Sequence, residues 1–499
     1  MESLFNLIDE PWIPVANHGR VSLKDIFTRA DYQSLGGSPV QKIAVFKLLL
    51  AIAQAAATPR NEQEWQAMGA TGMAEKCLTY LGKWHDRFYL YGEKPFLQMP
   101  AIAAARALSF GSFLPEISTG NTTVHIKSQV EQNLSAANQE MLVLLQMGFA
   151  LSGKKTDNSV VLSSGYAGKR NDKGKPSTGK PGPSVAHMGL LHNFVMAKNI
   201  IDSIWLNLFS KQAIESTGVF LQGVGIAPWE QMPDGEACPV ATTLQQSYMG
   251  RLIPVCRFCL LTQNGMHYSE GIAHAGYKEG VQDFSVAVNS TGKEPKALWA
   301  DPDKRPWREL TSLLSFFDQE SSQGFQSWQI RFGLQNATST QEVFSIWSGA
   351  LRVSSNAGEQ YVSGSDDAVE SEIWLESALL GKNWFAQLKT EMSELDTLAK
   401  ALYGRVLGYF KVLTVEGKST AAQATNMFWQ LCERDFQDLI NHCDFNAEAN
   451  QARQQLRRKF ARYQHQAYDH FCPNGTARQI DAWANNRPNH LKYITQEAS

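Results

Sequence analysis

The feature of this sequence that most restricts its fold is a helical pattern in its C-terminal part. From residue 368 almost to the end, apolar residues recur every three or four positions, which is the spacing of one face of an amphipathic helix. The first series is Leu388, Met392, Leu395, Leu398, Leu402, Val406 and Phe410. The second series is Phe428, Leu431, Phe436, Leu439 and Cys443. A third helix is predicted over residues 448–471, and a shorter fourth helix follows Asn474.

The joints between these helices are short and turn-like. They fall at residues 415–419, 444–448 and 472–476. Because short joints between amphipathic helices make them antiparallel neighbours, the pattern predicts an antiparallel four-helix bundle over residues 368–499.

Residues 1–367 are predicted to form one large mixed α/β domain, since 499 residues are too many for one ordinary core. Residues 40–57 are apolar around most of a helix circumference, so this helix belongs deep in the core. Further helices are expected over residues 65–86 and 187–210, and a buried one over 141–151. Residues 6–15 indicate a short strand with a buried Trp12, residues 88–100 indicate extended structure, and residues 216–364 indicate short mixed elements. The expected fold class is therefore α+β.

Composition excludes several classes of protein. The formal net charge of −2 gives no global evidence for nucleic-acid binding, so such binding must rest on local basic patches. Seven cysteines are few and odd in number, as in a cytosolic protein with reduced thiols. The N-terminus lacks a basic leader region, and no stretch approaches the ~20 apolar residues that cross a bilayer. We therefore expect a cytoplasmic protein without membrane contact.

One basic segment, residues 153–183, stands out from this balanced background. Its cationic residues are Lys154, Lys155, Lys169, Arg170, Lys173, Lys175 and Lys180. Six glycines and three prolines interrupt any helix or strand, so the segment is predicted to be mostly loop. Glycine lets backbone N–H groups approach a ligand and lysine adds positive charge, which favours phosphate groups as partners. The alternative is a solvated surface loop.

The predicted helix over residues 448–471 is also basic. At about 100° per residue, Leu456, Phe460, Tyr463 and Ala467 share one face, which is expected to be buried. Arg458 and Arg462 lie opposite that face, while Arg457 and Lys459 lie on its flanks. These four cations either form a solvated face, which is the favoured interpretation, or contact a DNA backbone.

Residues that could carry catalysis are sparse. Cys256 and Cys259 form a C-x-x-C pair with Cys238 upstream, but no second pair completes the four ligands of a zinc site. Their apolar neighbours favour buried thiols on a strand over a metal site. His187 and His192 are expected to be packed on an apolar helix. Because no nucleotide-binding or hydrolase motif is present either, we expect no enzyme activity, no cofactor and no metal.

Taken together, the segments resemble the CasA family, the large subunits of the type I-E CRISPR surveillance complex called Cascade. The resemblance rests on LIDEPWIPV at 7–15, FYLYGEKPFLQMP at 88–100, SGYAGK at 164–169, LWADPDKRPWREL at 298–310 and GALRVSSNAG at 349–358. The order and spacing of these motifs agree over essentially the full length. A mixed α/β body with a C-terminal four-helix bundle is the architecture of that family.

The resemblance implies a non-catalytic subunit that recognises the protospacer-adjacent motif (PAM) of double-stranded DNA and begins strand separation. The partners it implies are other Cascade subunits, CRISPR RNA (crRNA), double-stranded target DNA and a helicase-nuclease. It assigns DNA or PAM contacts to Gly165, Tyr166, Ala167, Gly168, Lys169, Lys278 and Asn356. It assigns attachment to the complex to a loop with Val124, Ile126 and Lys127. Asn356 replaces the glutamine that usually inserts at the end of the duplex.

Two alternatives stay open at this point. The first is a metal-dependent nuclease that uses Cys238, Cys256 and Cys259 with a nearby histidine, and metal analysis of the protein would identify it. The second is the large subunit of another CRISPR subtype or of a transposon-linked complex.

Overall fold

A computed structural model of the chain describes residues 5–113, 116–117, 133–150, 156–157, 159–163, 189–318, 324–352, 361–362 and 367–495. Its internal contacts divide it into two compact units. The first unit comprises Met1–Pro306 and Phe325–Glu372, and the second comprises Trp307–Gly324 and Ile373–Ser499. The sequence predicts a single boundary, between residues 367 and 368. The second unit instead begins its C-terminal stretch at Ile373 and takes in Trp307–Gly324 as well.

The helices and strands of the described residues follow each other along the chain. The α-helices are α1 (Leu23–Thr28), α2 (Pro39–Ala57), α3 (Glu62–Lys83), α4 (Ala136–Gly148), α5 (Ile200–Leu206), α6 (Lys211–Ser216), α7 (Pro239–Gln245), α8 (Met249–Leu252), α9 (Leu310–Leu313), α10 (Trp328–Thr340), α11 (Lys382–Leu413), α12 (Lys418–Glu433), α13 (Phe436–Asn441), α14 (Ala447–Phe471), α15 (Ala477–Asn486) and α16 (Leu491–Thr495). The strands are β1 (Ile13–Val15), β2 (Gly19–Val21), β3 (Ala107–Ser109), β4 (Glu116–Ile117), β5 (His192–Met196), β6 (Arg257–Thr262), β7 (Gly265–Glu270), β8 (Val288–Asn289), β9 (Lys296–Ala297), β10 (Val343–Leu351), β11 (Tyr361–Val362) and β12 (Ala368–Glu376).

The strands form small separate sheets. Two three-stranded sheets have the orders β12-β10-β5 and β3-β7-β6. The pairs β1-β2 and β8-β9 are antiparallel, whereas β4 and β11 are parallel. Together with the helices of the first unit, they give the mixed α/β body that the sequence predicts.

Helix α2 lies in the core of the first unit, as predicted. The Ser38 hydroxyl caps its first turn by accepting a hydrogen bond from the backbone N–H of Gln41, and Pro39 occupies its first position. Almost every side chain is buried, and the helix packs against α3, α4 and β10. By length and composition alone α2 could also cross a membrane, which corrects the expectation that no such stretch exists. Most of it is nevertheless buried inside the protein.

Two local predictions for the first unit were wrong. Residues 187–210 were predicted as one helix, but β5 (His192–Met196) precedes α5 (Ile200–Leu206). Tertiary pairing overrides the apolar pattern here, because β5 is the antiparallel neighbour of β10. Residues 88–100 were predicted to be extended, but they form an irregular segment with one isolated bridge, between Tyr89 and Asn6. Trp12 is buried, as predicted.

The second unit contains the C-terminal helical bundle that the sequence predicts. The main helices are α11, α12, α14 and α15, and α11 packs against each of the other three. The apolar series of α11 is buried from Leu388 to Val406, while Phe410 is half-buried. The helix predicted around Phe428–Cys443 is divided into α12 and α13.

The start of the helical region was placed too early. Residues 368–376 form strand β12, not a helix, and the first bundle helix begins only at Lys382. In β12 the buried residues Val369, Ile373 and Leu375 all lie at odd positions. This period of two is typical of a strand with one buried face.

Candidate nucleic-acid interface

Most of the predicted contact residues lie outside the described part of the chain. These are Gly165, Tyr166, Ala167, Gly168, Lys169 and Asn356, together with Val124, Ile126 and Lys127. The structure does describe the residues that flank the segments carrying them. Those flanking residues show how the segments are attached to the first unit.

The residues just before the SGYAGK motif are fixed by Glu236. The backbone N–H groups of Leu162 and Ser163 donate to its two carboxylate oxygens at 3.1 and 2.7 Å. The backbone N–H of Ala237 returns a bond to the Ser163 hydroxyl at 2.9 Å. A Cβ atom on Gly235 would lie 2.6 Å from the same hydroxyl, so a larger residue would have to displace the Ser163 side chain. Sequence reasoning missed the buried Glu236, since nothing local links it to residues more than seventy positions earlier.

The residues just after the basic segment are fixed by the LWADPDKRPWREL motif. The backbone N–H of Leu191 donates to the carbonyl of Leu298 at 2.9 Å, and that of Ala300 donates to the carbonyl of Gly189 at 2.7 Å. Leu190 and Trp299 form an isolated antiparallel bridge between these bonds. The motif therefore provides an extended backbone that binds residues 189–191, which follow the basic segment.

Side chains along this motif alternate between inside and outside. Leu298 and Ala300 are buried, whereas Trp299 keeps 48% of its surface exposed. Asp301, the next outward residue, places a carboxylate oxygen 3.6 Å from Nη1 of Arg352. Arg352 is the last described residue before the stretch that contains Asn356, and its backbone N–H donates to the carbonyl of Asp367 at 3.0 Å.

The structure thus brings together Gly189, which follows the basic segment, and Arg352, which precedes the segment with Asn356. We name this place the junction and define it by Gly189, Trp299, Asp301 and Arg352. The two segments are separated by more than 150 residues in sequence, so their proximity is a result of folding that no local pattern shows.

Lys278 belongs to an element that packs beside the junction. It is exposed on a short 3₁₀ turn, Tyr277–Glu279, in which the Glu279 carboxylate accepts the backbone N–H of Gly276 at 2.8 Å. Tyr277 packs against an apolar cluster. The cluster consists of Leu190, Val286, Val288 and Ala297. Since Leu190 directly follows Gly189, the turn with Lys278 packs against a neighbour of the junction.

The segment predicted to attach the protein to a complex is tied to the segment with Asn356. Strand β4 ends just before the stretch that contains Val124, and β11 begins soon after Asn356. The two strands are parallel, with Tyr361 opposite Glu116 and Val362 opposite Ile117.

One predicted cation of helix α14 was assigned wrongly. Arg457 is buried, and its guanidinium donates two hydrogen bonds, at 2.6 and 3.1 Å, to the buried carboxylate of Glu391. It therefore cannot contact a DNA backbone. Arg458 and Arg462 are exposed, as the helical geometry predicts. Lys459 is half-exposed, and its hydrogen bond to Asp435 raises the pKa of the ammonium group.

The thiols proposed for a metal site are mostly buried. Cys259 lies in β6 and Cys256 just before it, and burial raises the pKa of the Cys259 thiol. Cys238 instead caps α7, where its sulfur accepts the backbone N–H of Ala241 at 3.4 Å. His192 is packed as expected, but on strand β5, beside the Ser285 hydroxyl at 2.8 Å. Within the described residues, no three or more His, Cys, Asp or Glu side chains are grouped so as to hold a metal ion.

Comparison with known sequences supports one family. The sequence profile described as CRISPR-associated protein Cse1 matches residues 6–467. The CRISPR-associated protein CasA/Cse1 of Thermus thermophilus is 32% identical over 162 residues. That match covers 30% of this chain and 32% of the relative, so the aligned stretch spans about a third of the length of that relative.

Solved structures share the fold over nearly the whole chain. Thermus thermophilus CasA superposes with a TM-score of 0.72 at 18% identity and covers 98% of this chain and 99% of its own. Thermobifida fusca Cse1 superposes with a TM-score of 0.77 at 18% identity and covers 98% and 97%. A chain of a CRISPR RNA-guided surveillance complex superposes with a TM-score of 0.63 at 14% identity and covers 97% and 98%.

Proposed function

The chain belongs to the family of the CRISPR-associated protein Cse1, and we propose from this membership that it is the large, non-catalytic subunit of a type I-E Cascade complex. Its partners in this role are the other protein subunits, the crRNA and double-stranded target DNA, all in the cytoplasm. A separate helicase-nuclease is recruited after the target has been opened. The loop with Val124, Ile126 and Lys127 contributes to attachment within the complex.

The proposed task is to recognise the PAM and begin strand separation. The loop from Gly165 to Gly168, with Lys169 and Lys278, contacts the duplex, and the Asn356 amide inserts at its end. The minor groove offers a degenerate pattern of hydrogen-bonding groups, so a close backbone approach with few direct bonds suits a reader of short motifs. Opening one base step costs on the order of 1–2 kcal/mol, which a few lysine-phosphate contacts can offset.

The observation that supports this proposal best is the junction. Residues that flank the basic segment and the segment with Asn356 converge there through the Gly189–Ala300 backbone bond and the Asp301–Arg352 ion pair. The turn with Lys278 packs through Tyr277 against the apolar cluster that contains Leu190, the residue after Gly189. A function that needs all three segments on one DNA end is consistent with this common attachment.

The test compares two DNA targets with the assembled complex. We expect Asn356→Ala and Gly168→Asp to weaken binding to a PAM-bearing duplex about tenfold or more, which corresponds to ~1.4 kcal/mol. Binding to a target that is already single-stranded should change far less, since it needs no opening.

Asn485→Ala and Gly404→Asp are matched controls in the helical bundle. Asn485 is exposed on α15, and a Cβ atom on Gly404 would meet nothing within 4 Å. Neither control should change binding to either target. Equal losses on both targets for the Asn356 and Gly168 variants would refute the proposal.

A further inference from the structure

Trp299 is an unusual residue for its position at the junction. Among the described tryptophans, Trp12, Trp65 and Trp229 are almost fully buried, whereas Trp299 keeps 48% of its surface exposed. Its backbone is fixed by the hydrogen bonds that Leu298 and Ala300 form with Leu191 and Gly189. The indole is therefore presented on the outer side of a rigid extended backbone, and not on the tip of a loop.

Charged groups of both signs accompany this indole. Arg352 reaches the same outer side through its 3.6 Å contact with Asp301, and Asp303, Lys304 and Arg305 follow along the motif. The Arg352–Asp301 pair leaves 45% and 48% of the two side chains exposed. Since exposed ion pairs are worth little, the guanidinium can exchange Asp301 for a phosphate group at small cost.

We propose that Trp299 stacks on an unpaired nucleobase of the DNA opened beside the PAM, while Arg352 binds a neighbouring phosphate. The inference rests on the proposed function and adds to it a fixed site that receives a base once the duplex has parted. Stacking on an indole is tolerant of base identity, because every base has a flat π face. Such a site therefore stabilises opened DNA without adding a sequence requirement.

Nucleic acid fits this surface better than a protein partner. Trp299 belongs to the junction, which holds Gly189, six residues after the basic segment, and Arg352, four residues before Asn356, and both segments are proposed to contact DNA. Its neighbour Arg352 offers a planar guanidinium that suits phosphate. An aromatic ring beside cations is the combination that single-stranded nucleic acids require for stacking and neutralisation.

The experiment uses the assembled complex and a PAM-bearing target whose first base pairs beside the PAM are opened by mismatches. Trp299→Ala should weaken binding about 5- to 100-fold, and Trp299→Phe should retain most of it. Trp374→Ala is the matched control, because this tryptophan is also exposed but lies on β12. Single abasic sites placed along each strand then identify the stacked base. At one position the abasic site should weaken DNA binding by the wild-type complex but should not weaken binding by the Trp299→Ala complex any further.

Three results would overturn the inference. The first is that Trp299→Ala binds this target as the wild type does. The second is that every abasic penalty is the same in wild type and variant. The third is that Trp299→Ala releases the subunit from the complex, which would assign the indole to a protein contact. The Asn356→Ala comparison is independent of these results. If it shows the loss specific to duplex DNA while Trp299→Ala has no effect, the proposed function stands and only the stacking site is wrong.

Discussion

At the scale of single residues, two buried glutamates of the first unit show how surroundings decide the cost of a charge. Glu236 is buried, but both of its oxygens accept backbone N–H groups. Glu140, on α4, is fully buried, and neither of its oxygens has a hydrogen-bond partner among the residues that the structure describes. Burial without a partner raises the pKa of Glu140 well above its usual range. The folded protein therefore favours the protonated form of Glu140.

We predict that Glu140→Gln stabilises the protein at pH 7 by at least about 1 kcal/mol, because a neutral amide needs no proton in order to be buried, whereas the glutamate must take up a proton or be buried as a charge. Above about pH 4.5 the unfolded chain releases the Glu140 proton, while the folded state keeps it up to the raised pKa. The free energy of unfolding of the wild type therefore falls as pH rises between these two pKa values. The variant lacks this loss, so its advantage should grow between pH 5 and pH 7 in urea unfolding.

The comparison variant is Glu236→Gln, which should destabilise the protein, because an amide has only one oxygen for two backbone donors. For each pH, the difference in free energy of unfolding between Glu140→Gln and the wild type is measured. If this difference is no larger at pH 7 than at pH 5, Glu140 is not the unpaired, protonated carboxyl group that we assign.

At the scale of elements, helix α14 has two chemically different sides. Arg453 and Arg457 are buried against Glu391 of α11, and Arg453 also donates to the carbonyls of His442 and Asp444. These contacts join α14 to α11 and to the turn that precedes α14. Arg458, next in sequence, points to solvent. Of these two adjacent arginines, Arg457 therefore stabilises the fold, whereas Arg458 is exposed to solvent.

We predict that Arg457→Ala lowers the free energy of unfolding by about 3–5 kcal/mol, because it leaves the buried carboxylate of Glu391 without its closest cation. Arg458→Ala should change it by less than about 0.5 kcal/mol. Thermal and urea unfolding of the purified chain measure both. Similar losses for the two variants would contradict the burial of Arg457.

The sequence predicted helices better than strands, for a physical reason. The period of α11 and of α14 is local, and it predicts buried residues of both helices. In α14, Leu456, Phe460 and Ala467 are buried as predicted, whereas Tyr463 is only half-buried. The strands β5 and β12 were missed, because each is held in its sheet by pairing with β10 and not by a local pattern. The pairing of β5 with β10 joins residues some 150 positions apart. Only the odd-numbered apolar residues of β12 gave a local signal, and they were read as part of the following helix.

The candidate interface was predictable only as a set of separate segments. Glycine and lysine content indicated the basic segment, and resemblance indicated Asn356 and Lys278. The burial of Arg457 was not predictable, since its partner Glu391 lies 66 residues away. The hydrogen bonds from Leu162 and Ser163 to Glu236 and the ion pair between Asp301 and Arg352 are likewise long-range contacts. Charge patterns in the sequence do not reveal them.

At the scale of the whole molecule, the balance of charge decides how DNA can be bound. The formal net charge is −2, so long-range attraction by the whole chain does not favour DNA. Binding must come from a local concentration of cations, and two such regions exist. One is the basic segment that leads to the junction in the first unit, and the other is the exposed side of α14 in the second unit.

Salt dependence distinguishes these two regions. Each phosphate that a cation neutralises adds about 0.9 to the slope of the logarithm of affinity against the logarithm of salt concentration. We predict that replacing Lys169, Arg170, Lys173, Lys175 and Lys180 by glutamine lowers the slope for PAM-bearing duplex by about 2 or more, since we propose that several of these cations contact phosphates. The double variant Arg458→Gln with Arg462→Gln should leave the slope unchanged, because we assign both residues to a solvated face. Titrations of the assembled complex between about 50 and 200 mM salt measure both slopes. If the double variant lowered the slope by about 2 and the five-residue variant did not, the DNA would lie against the helical bundle, and the assignment of duplex binding to the first unit would be wrong.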